Sequence, residues 1–225
     1  MSPLCELLVD PIRNHVRATA VALALVATLT LSACSPDTTP SASSNANGCP
    51  ASQPATLNTE ASNDIAFETT IGTFVVRLAV KNSPIAVSNI TALASCNFYD
   101  DVIFHRIAYM EDGTPFVIQG GDPTGTGSGG PGYFIKDEPV VGEYRRGVIA
   151  MARSSQPDSQ GSQFFVILDD AAAVPLESAR TYAILGEVIS GMDVVDAIAA
   201  LERNGEDRPI DPPKIISTTV TPSAP

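Results

Sequence analysis

The 225-residue sequence predicts a mainly β domain, an antiparallel barrel or sandwich rather than an alternating βαβ sheet. Three observations point there. Short runs rich in β-branched and aromatic residues recur along the chain, glycine- or proline-containing loops separate them, and only two segments carry a helical pattern.

In chain order, Ile65-Ala-Phe67 and Phe74-Val-Val76-Arg-Leu78-Ala-Val80 flank Thr70-Ile71-Gly72-Thr73 and read as a hairpin. Ser83-Pro84 then supplies a candidate N-cap with proline at the first helical position. The apolar spacing from Ile85 to Cys96 predicts a helix of about three turns, and Asn97 is a suitable stop. Further strands are predicted over 102–107, 116–121, 147–152, 163–168 and 183–189. A short helix near 192–201 and a last strand near 214–220 follow.

The amino terminus is a different kind of segment. Arg13 and Arg17 precede an uncharged run, Ala18 to Leu31, shorter than the ~20 apolar residues of a membrane span and suited to a signal-peptide core. Leu31-Ser32-Ala33-Cys34 resembles the lipobox of bacterial lipoproteins. Residues 1–33 are therefore expected to be a lipoprotein signal peptide. Residues 34–62, rich in Ser, Thr, Pro, Ala and Asn, are expected to carry a lipidated Cys34 on a flexible tether, with the folded domain over 63–222. That arrangement implies a bacterial cell-envelope location, the domain on the extracytoplasmic side and the lipid as its membrane contact. Two further cysteines, Cys49 and Cys96, are either free thiols or a bridge pinning the tether's end to the domain. The net charge of −12 repels phosphate backbones and argues against a nucleic-acid partner.

Several segments carry chemistry only in combination. Phe104-His105-Arg106-Ile107 sets a guanidinium in an apolar strand, a costly placement unless it is hydrogen-bonded or reaches a site. Alternation turns Arg106 away from His105 and Ile107. Phe116-Val117-Ile118-Gln119-Gly120-Gly121-Asp122 and Gly161-Ser162-Gln163-Phe164-Phe165 offer phenylalanines for an apolar pocket and glutamine amides beside it. Taken singly, each reads equally well as a surface arginine, a core phenylalanine or a solvated glutamine.

In this order, together with Ala150-Met151-Ala152, these segments resemble the signature of the cyclophilin family, and the resemblance runs from about residue 64 to 220. It implies an eight-stranded antiparallel closed β-barrel capped by two α-helices. It also implies peptidyl-prolyl cis-trans isomerase activity on proline-containing polypeptides, in this setting exported ones, by a monomer without metal or cofactor. Carried over position by position, Arg106 matches the catalytic arginine, with Phe116 and Gln119 beside it. Val117, Ala152, Arg153, Ser154, Gln163, Phe165, Leu176 and Tyr182 match substrate-contacting positions. The segment from Ala108 to Pro115 is longer than usual, Val117 replaces a usual methionine and Arg153 stands where asparagine is common. These departures motivate an alternative, a peptide-binding or chaperone module of the same fold with little turnover.

Other motif readings fail. Gly125-Thr-Gly127-Ser-Gly-Gly130 satisfies G-x-G-x-x-G, but Pro131-Gly132 follows it where a dinucleotide site needs a helix N-terminus. A serine hydrolase or a zinc site would have to rely on His105, the one histidine beyond the expected signal peptide, without nucleophile-elbow or ligand spacing.

Overall fold

The computed structural model describes residues 44–45, 48–60 and 62–223. The expected signal peptide and Cys34 lie outside the described residues. Eight strands form one antiparallel sheet: β1 (Asn63–Thr69), β2 (Thr73–Leu78), β3 (Arg106–Tyr109), β4 (Pro115–Gly120), β5 (Val148–Met151), β6 (Phe164–Ile167), β7 (Ile184–Ser190) and β8 (Ile215–Pro222). Their spatial order is β3-β4-β6-β5-β7-β2-β1-β8, which leaves β3 and β8 at the edges.

The expectation of a closed barrel needs correction: the sheet is a curled half-barrel whose edges meet without a continuous ladder. One isolated bridge, Ile103 with Lys214, joins them, supported by bonds such as Phe104 N–H to the Pro213 carbonyl at 2.9 Å and Ile215 N–H to the Val102 carbonyl at 2.8 Å. Pro212 and Pro213 have no N–H to donate, so regular pairing cannot run through this seam. The strand expected over 102–107 accordingly begins only at Arg106.

Helix α1 (Pro84–Ser95) buries Ala86, Val87, Ile90, Leu93 and Ala94 against the inner face of the sheet. Its N-terminus is not capped by the Ser83 side chain as the local sequence suggests. The Glu138 carboxylate, distant in sequence, accepts from the Ile85 and Ala86 amides, both at 2.8 Å. At the other end Asn97 adopts a left-handed φ of 61°. Phe98 N–H then reaches the Leu93 carbonyl at 3.1 Å and Asn97 N–H the Ala94 carbonyl at 3.4 Å, the reciprocal pair of a Schellman stop. Among the described residues there are three α-helices rather than two. α2 (Ala173–Ala179), entered through a 3₁₀ turn at Asp170–Ala172, has seven residues with Pro175 in its first turn, too few for a helical period to show in the sequence. α3 (Met192–Ala199) buries Val195 and Ile198.

Two apolar clusters result. The inner one joins Phe67, Phe74, Phe104, Phe164 and Tyr99 with Ile118, Ile149 and both long helices. The outer one, beneath α2, gathers Val117, Ala150, Phe165, Ile167 and Leu176. Successive side chains on β4, β5 and β6 serve opposite clusters, so these strands are buried on both faces and read as continuous apolar runs rather than alternating ones. Cys49 and Cys96 form a disulfide with S–S 2.05 Å. The segment that follows Cys49 is tied down by Leu57 N–H to Ser88 Oγ at 2.6 Å and by Lys136 N–H to Gln53 Oε1 at 2.9 Å.

Candidate active site

The register of the sheet assembles the site. Arg106 on β3 pairs with Gln119 on β4, Gln119 with Phe165 on β6, and Phe165 with Ala150 on β5. Because strand side chains alternate, these four residues share the outer face while Ile107, Ile118 and Phe164 point into the inner core. A pocket of 150 Å³ opens there, lined by Arg106, Phe116, Val117, Gln119, Ala152, Arg153, Phe165, Leu176 and Tyr182. Polar groups at Arg106, Gln119 and Arg153 share the lining with a buried apolar wall. Phe165 is 5% exposed and meets Tyr182 edge-on, ring centroids 5.4 Å apart, with Val117 and Leu176 buried beside it. The main chain of Tyr182 is clamped by the Tyr144 hydroxyl, which donates to its carbonyl at 2.8 Å and accepts from its N–H at 3.1 Å. Burial pushes the Tyr144 phenol up to about 12, so it stays protonated and can make that donation.

The cation at the pocket's rim is Arg106, its side chain 42% exposed, with one Nη 3.4 Å from the Asp207 carboxylate. Gln119 Nε2 donates to Gln163 Oε1 at 2.9 Å. Gln163 Nε2 in turn donates to the carbonyls of Gly127 and Gly129, at 3.0 and 2.9 Å. This amide relay leads into a second, larger hollow of 620 Å³, which shares Gln119, Ala152 and Arg153 with the first and adds Ser154 and Gln163. Of the eleven residues expected from sequence, nine thus line the small pocket, and Ser154 and Gln163 stand one step away. Arg153, 10% exposed, ties the wall between the hollows: it donates to the carbonyls of Ser154 at 3.1 Å and Gln156 at 2.7 Å and pairs with Asp137 at 3.0 Å.

The glycine-rich loop is ordered by a buried carboxylate. Asp122 accepts from the backbone N–H groups of Thr124, Thr126, Gly127 and Gly129 at 2.7, 3.0, 2.6 and 3.0 Å. Burial acts to raise its pKa, but those hydrogen bonds outweigh burial and hold the carboxyl far below the usual range. Gly121, at φ 87°, admits no side chain, since a Cβ there would collide with the Ser162 carbonyl. Beside this loop His105 is 6% exposed with both ring nitrogens unpartnered, and burial lowers its pKa, which favours a neutral ring. The long segment before β4 is a hairpin turn, Met110 N–H to the Thr114 carbonyl at 2.8 Å. None of residues 108–115 lines the pocket, and the Tyr109 hydroxyl donates to the Ala199 carbonyl of α3 at 3.1 Å. Two contributors escaped the sequence reading. Asp207 lies 101 residues from Arg106 and Tyr144 lies 38 from Tyr182, separations that leave no local signal.

Comparison with known proteins defines the class. Residues 64–220 match the family described as cyclophilin type peptidyl-prolyl cis-trans isomerase/CLD. The chain is 39% identical over 163 residues to peptidyl-prolyl cis-trans isomerase-like 1 of Aspergillus oryzae, covering 70% of this chain and 94% of that protein. It is 40% identical over 158 residues to the protein of the same name from Bos taurus, covering 68% and 89%. Among solved structures, a cyclophilin type peptidyl-prolyl cis-trans isomerase of Cryptosporidium parvum superposes with TM-score 0.63 at 29% identity, over 73% of this chain and 99% of that one. The same protein in the presence of the dipeptide Ala-Pro gives TM-score 0.62 at 30% identity, over 71% and 99%. The chain belongs to the cyclophilin-type peptidyl-prolyl cis-trans isomerases.

These relatives also correct one expectation. They come from organisms such as Aspergillus oryzae, Neurospora crassa, Bos taurus and Cryptosporidium parvum, and they overturn the placement as a lipid-anchored protein of a bacterial envelope. A 14-residue apolar run followed by a cysteine is a short compositional pattern that no packing constraint specifies. Among the described residues no helix is long and apolar enough to cross a membrane.

Proposed function

We propose that residues 63–222 act as a monomeric isomerase of X-Pro bonds in which Arg106 stabilises the twisted amide. The observation that carries this reading is the convergence of Arg106, Phe116, Gln119 and Phe165 on one 150 Å³ pocket. That volume lies below the ~300–1,000 Å³ of ordinary small-molecule sites and suits a single small ring. The Ala-Pro dipeptide studied with the Cryptosporidium relative supports a proline occupant.

The chemistry follows from the amide. Rotation about X-Pro faces a barrier of about 18–20 kcal/mol. The two isomers differ by only about 0.5–1 kcal/mol, so the enzyme's task is kinetic. Twisting breaks amide resonance and localises the lone pair on the prolyl nitrogen. A guanidinium donor aimed at that nitrogen binds the twisted form better than the planar one, and each 1.36 kcal/mol of that preference multiplies the rate tenfold. Phe116, Val117, Phe165, Leu176 and Tyr182 hold the ring, and Gln119 holds a flanking carbonyl so that one side turns against the other. Ala152, Arg153, Ser154 and Gln163 receive the neighbouring residues of the peptide. No bond is made or broken, and arginine remains charged throughout.

The test is NMR exchange between the cis and trans peaks of a proline peptide, with wild type and Arg106→Ala side by side. Loss of one strong transition-state donor predicts a rate lower by about 10²–10³ at saturating peptide. Full exchange in Arg106→Ala refutes the mechanism. Peptide peaks that shift in wild type without faster exchange identify a binding module instead.

A further inference from the structure

Arg106 stands at the rim of its pocket on a long, flexible stem, and a donor meant for one nitrogen must be aimed before the amide twists. Among the described residues the hydrogen bond recorded for its guanidinium is the one to Asp207. Asp207 is delivered by a tightly fastened loop. Arg203 and Pro209 close it with an isolated bridge, and Asn204 Oδ1 accepts from the amides of Glu206 and Arg208, both at 3.0 Å. Asp207 itself sits in the left-handed region at φ 62°.

Three attachments hold this loop to the site. The Asp207 carbonyl accepts from Ile107 N–H, the residue next to Arg106, at 2.7 Å. The Arg203 guanidinium lies 3.9 Å above the Tyr109 ring on β3. Arg208 Nη1 donates to the Gly125 carbonyl at 2.6 Å, reaching the loop that Asp122 orders. The carboxylate is thus presented beside β3 at a fixed height, engaging one Nη of Arg106 from the side and leaving the other guanidinium donors for substrate.

We propose that Asp207 is the positioning residue of Arg106, a carboxylate tether that fixes the direction of the cation before substrate arrives. The proposal rests on the reading of Arg106 as the catalytic cation. Both side chains are partly exposed, 42% and 34%, so the tether is a modest one. An exposed pair of this kind corresponds to an effect of about two- to fivefold on the rate.

Asp207→Asn removes the charge while keeping a residue that tolerates positive φ. It is compared with wild type, Glu60→Gln, which makes the same charge change at an exposed ion pair outside the site (Lys81 to Glu60, 3.4 Å), and Arg106→Ala. The readouts are cis-trans exchange at saturating proline peptide, the peptide's dissociation constant by NMR titration, and ¹⁵N relaxation of Arg106 Nε. The expected result is exchange slowed about two- to fivefold in Asp207→Asn, an unchanged dissociation constant and a more mobile Nε, with Glu60→Gln like wild type. A wild-type rate in Asp207→Asn beside a slow Arg106→Ala overturns the tether and leaves the arginine mechanism standing. A wild-type rate in Arg106→Ala overturns both. A loss expressed as weaker binding with unchanged Nε mobility also overturns the tether. Should Asp207→Asn unfold, wild type alone decides. Raising salt from about 0.01 to 1 M cuts the Debye length from about 30 to 3 Å, so Nε mobility must rise if the tether exists, and an unchanged mobility refutes it.

Discussion

Replacing Asp122 with asparagine tests how the glycine-rich wall of the site is built. The carboxylate is fully buried and accepts four backbone N–H groups, three of them on one oxygen. In Asp122→Asn the amide oxygen does best facing those three, which turns the NH₂ toward Thr124 N–H and strands that donor. Thr124 is exposed, so water can reach this donor and its loss costs about 1 kcal/mol, the low end for a stranded group. Charge-assisted bonds are roughly twice as strong as neutral ones, so the other three lose about 0.5–1 kcal/mol apiece. The expected destabilisation at pH 7 is therefore about 2.5–4 kcal/mol. The pH dependence supplies a second, sharper test. Asp122 titrates lower when folded, so its contribution is complete above the unfolded pKa of about 3.9 and drains away as pH falls toward the folded value. Wild type and Asp122→Asn should converge by about 1.4 kcal/mol per pH unit below that point. The chain has no tryptophan, so urea unfolding is followed by far-ultraviolet circular dichroism at pH 7, 3 and 2. A difference under about 1 kcal/mol at pH 7, or a gap that does not narrow by pH 2, refutes the account.

Two further perturbations probe the pocket wall and the amino-terminal segment. Phe165→Leu keeps the outer cluster filled and should cost stability only about 1 kcal/mol, while losing the aromatic face weakens proline-peptide binding by about tenfold in an NMR titration; unchanged affinity removes Phe165 from the pocket's function. Reducing the Cys49–Cys96 bridge releases a constraint across 47 residues, worth up to about 4 kcal/mol by loop-closure entropy, and a melting temperature indifferent to reductant refutes that contribution.

Much of the strand framework was legible because the relevant residues are unambiguous. Phe67, Phe74, Val76, Ile118 and Val166 are β-branched or aromatic, and they are buried where the runs place them. The hairpin across Gly72 and the helix stop at Asn97 follow from local conformational preferences that tertiary contacts do not override. The site's composition was legible through the order of its segments, not through any single residue. What escaped was long-range. Glu138 replaces Ser83 as the cap of α1 from more than fifty residues away, and Asp207 reaches Arg106 from 101 residues away in sequence. α2 hides because seven residues containing a proline show no period. The open seam follows from Pro212 and Pro213 meeting an edge that only the fold brings opposite them.

Strands β4 and β6 carry pocket-lining groups and interior groups on alternate positions, Val117 beside Ile118 and Phe165 beside Phe164. Adjacent codons therefore answer to separate demands, one to peptide choice and the next to folding. Redesign for new peptide preferences can proceed at every second position of these ribbons, with the intervening residues left untouched as a chassis.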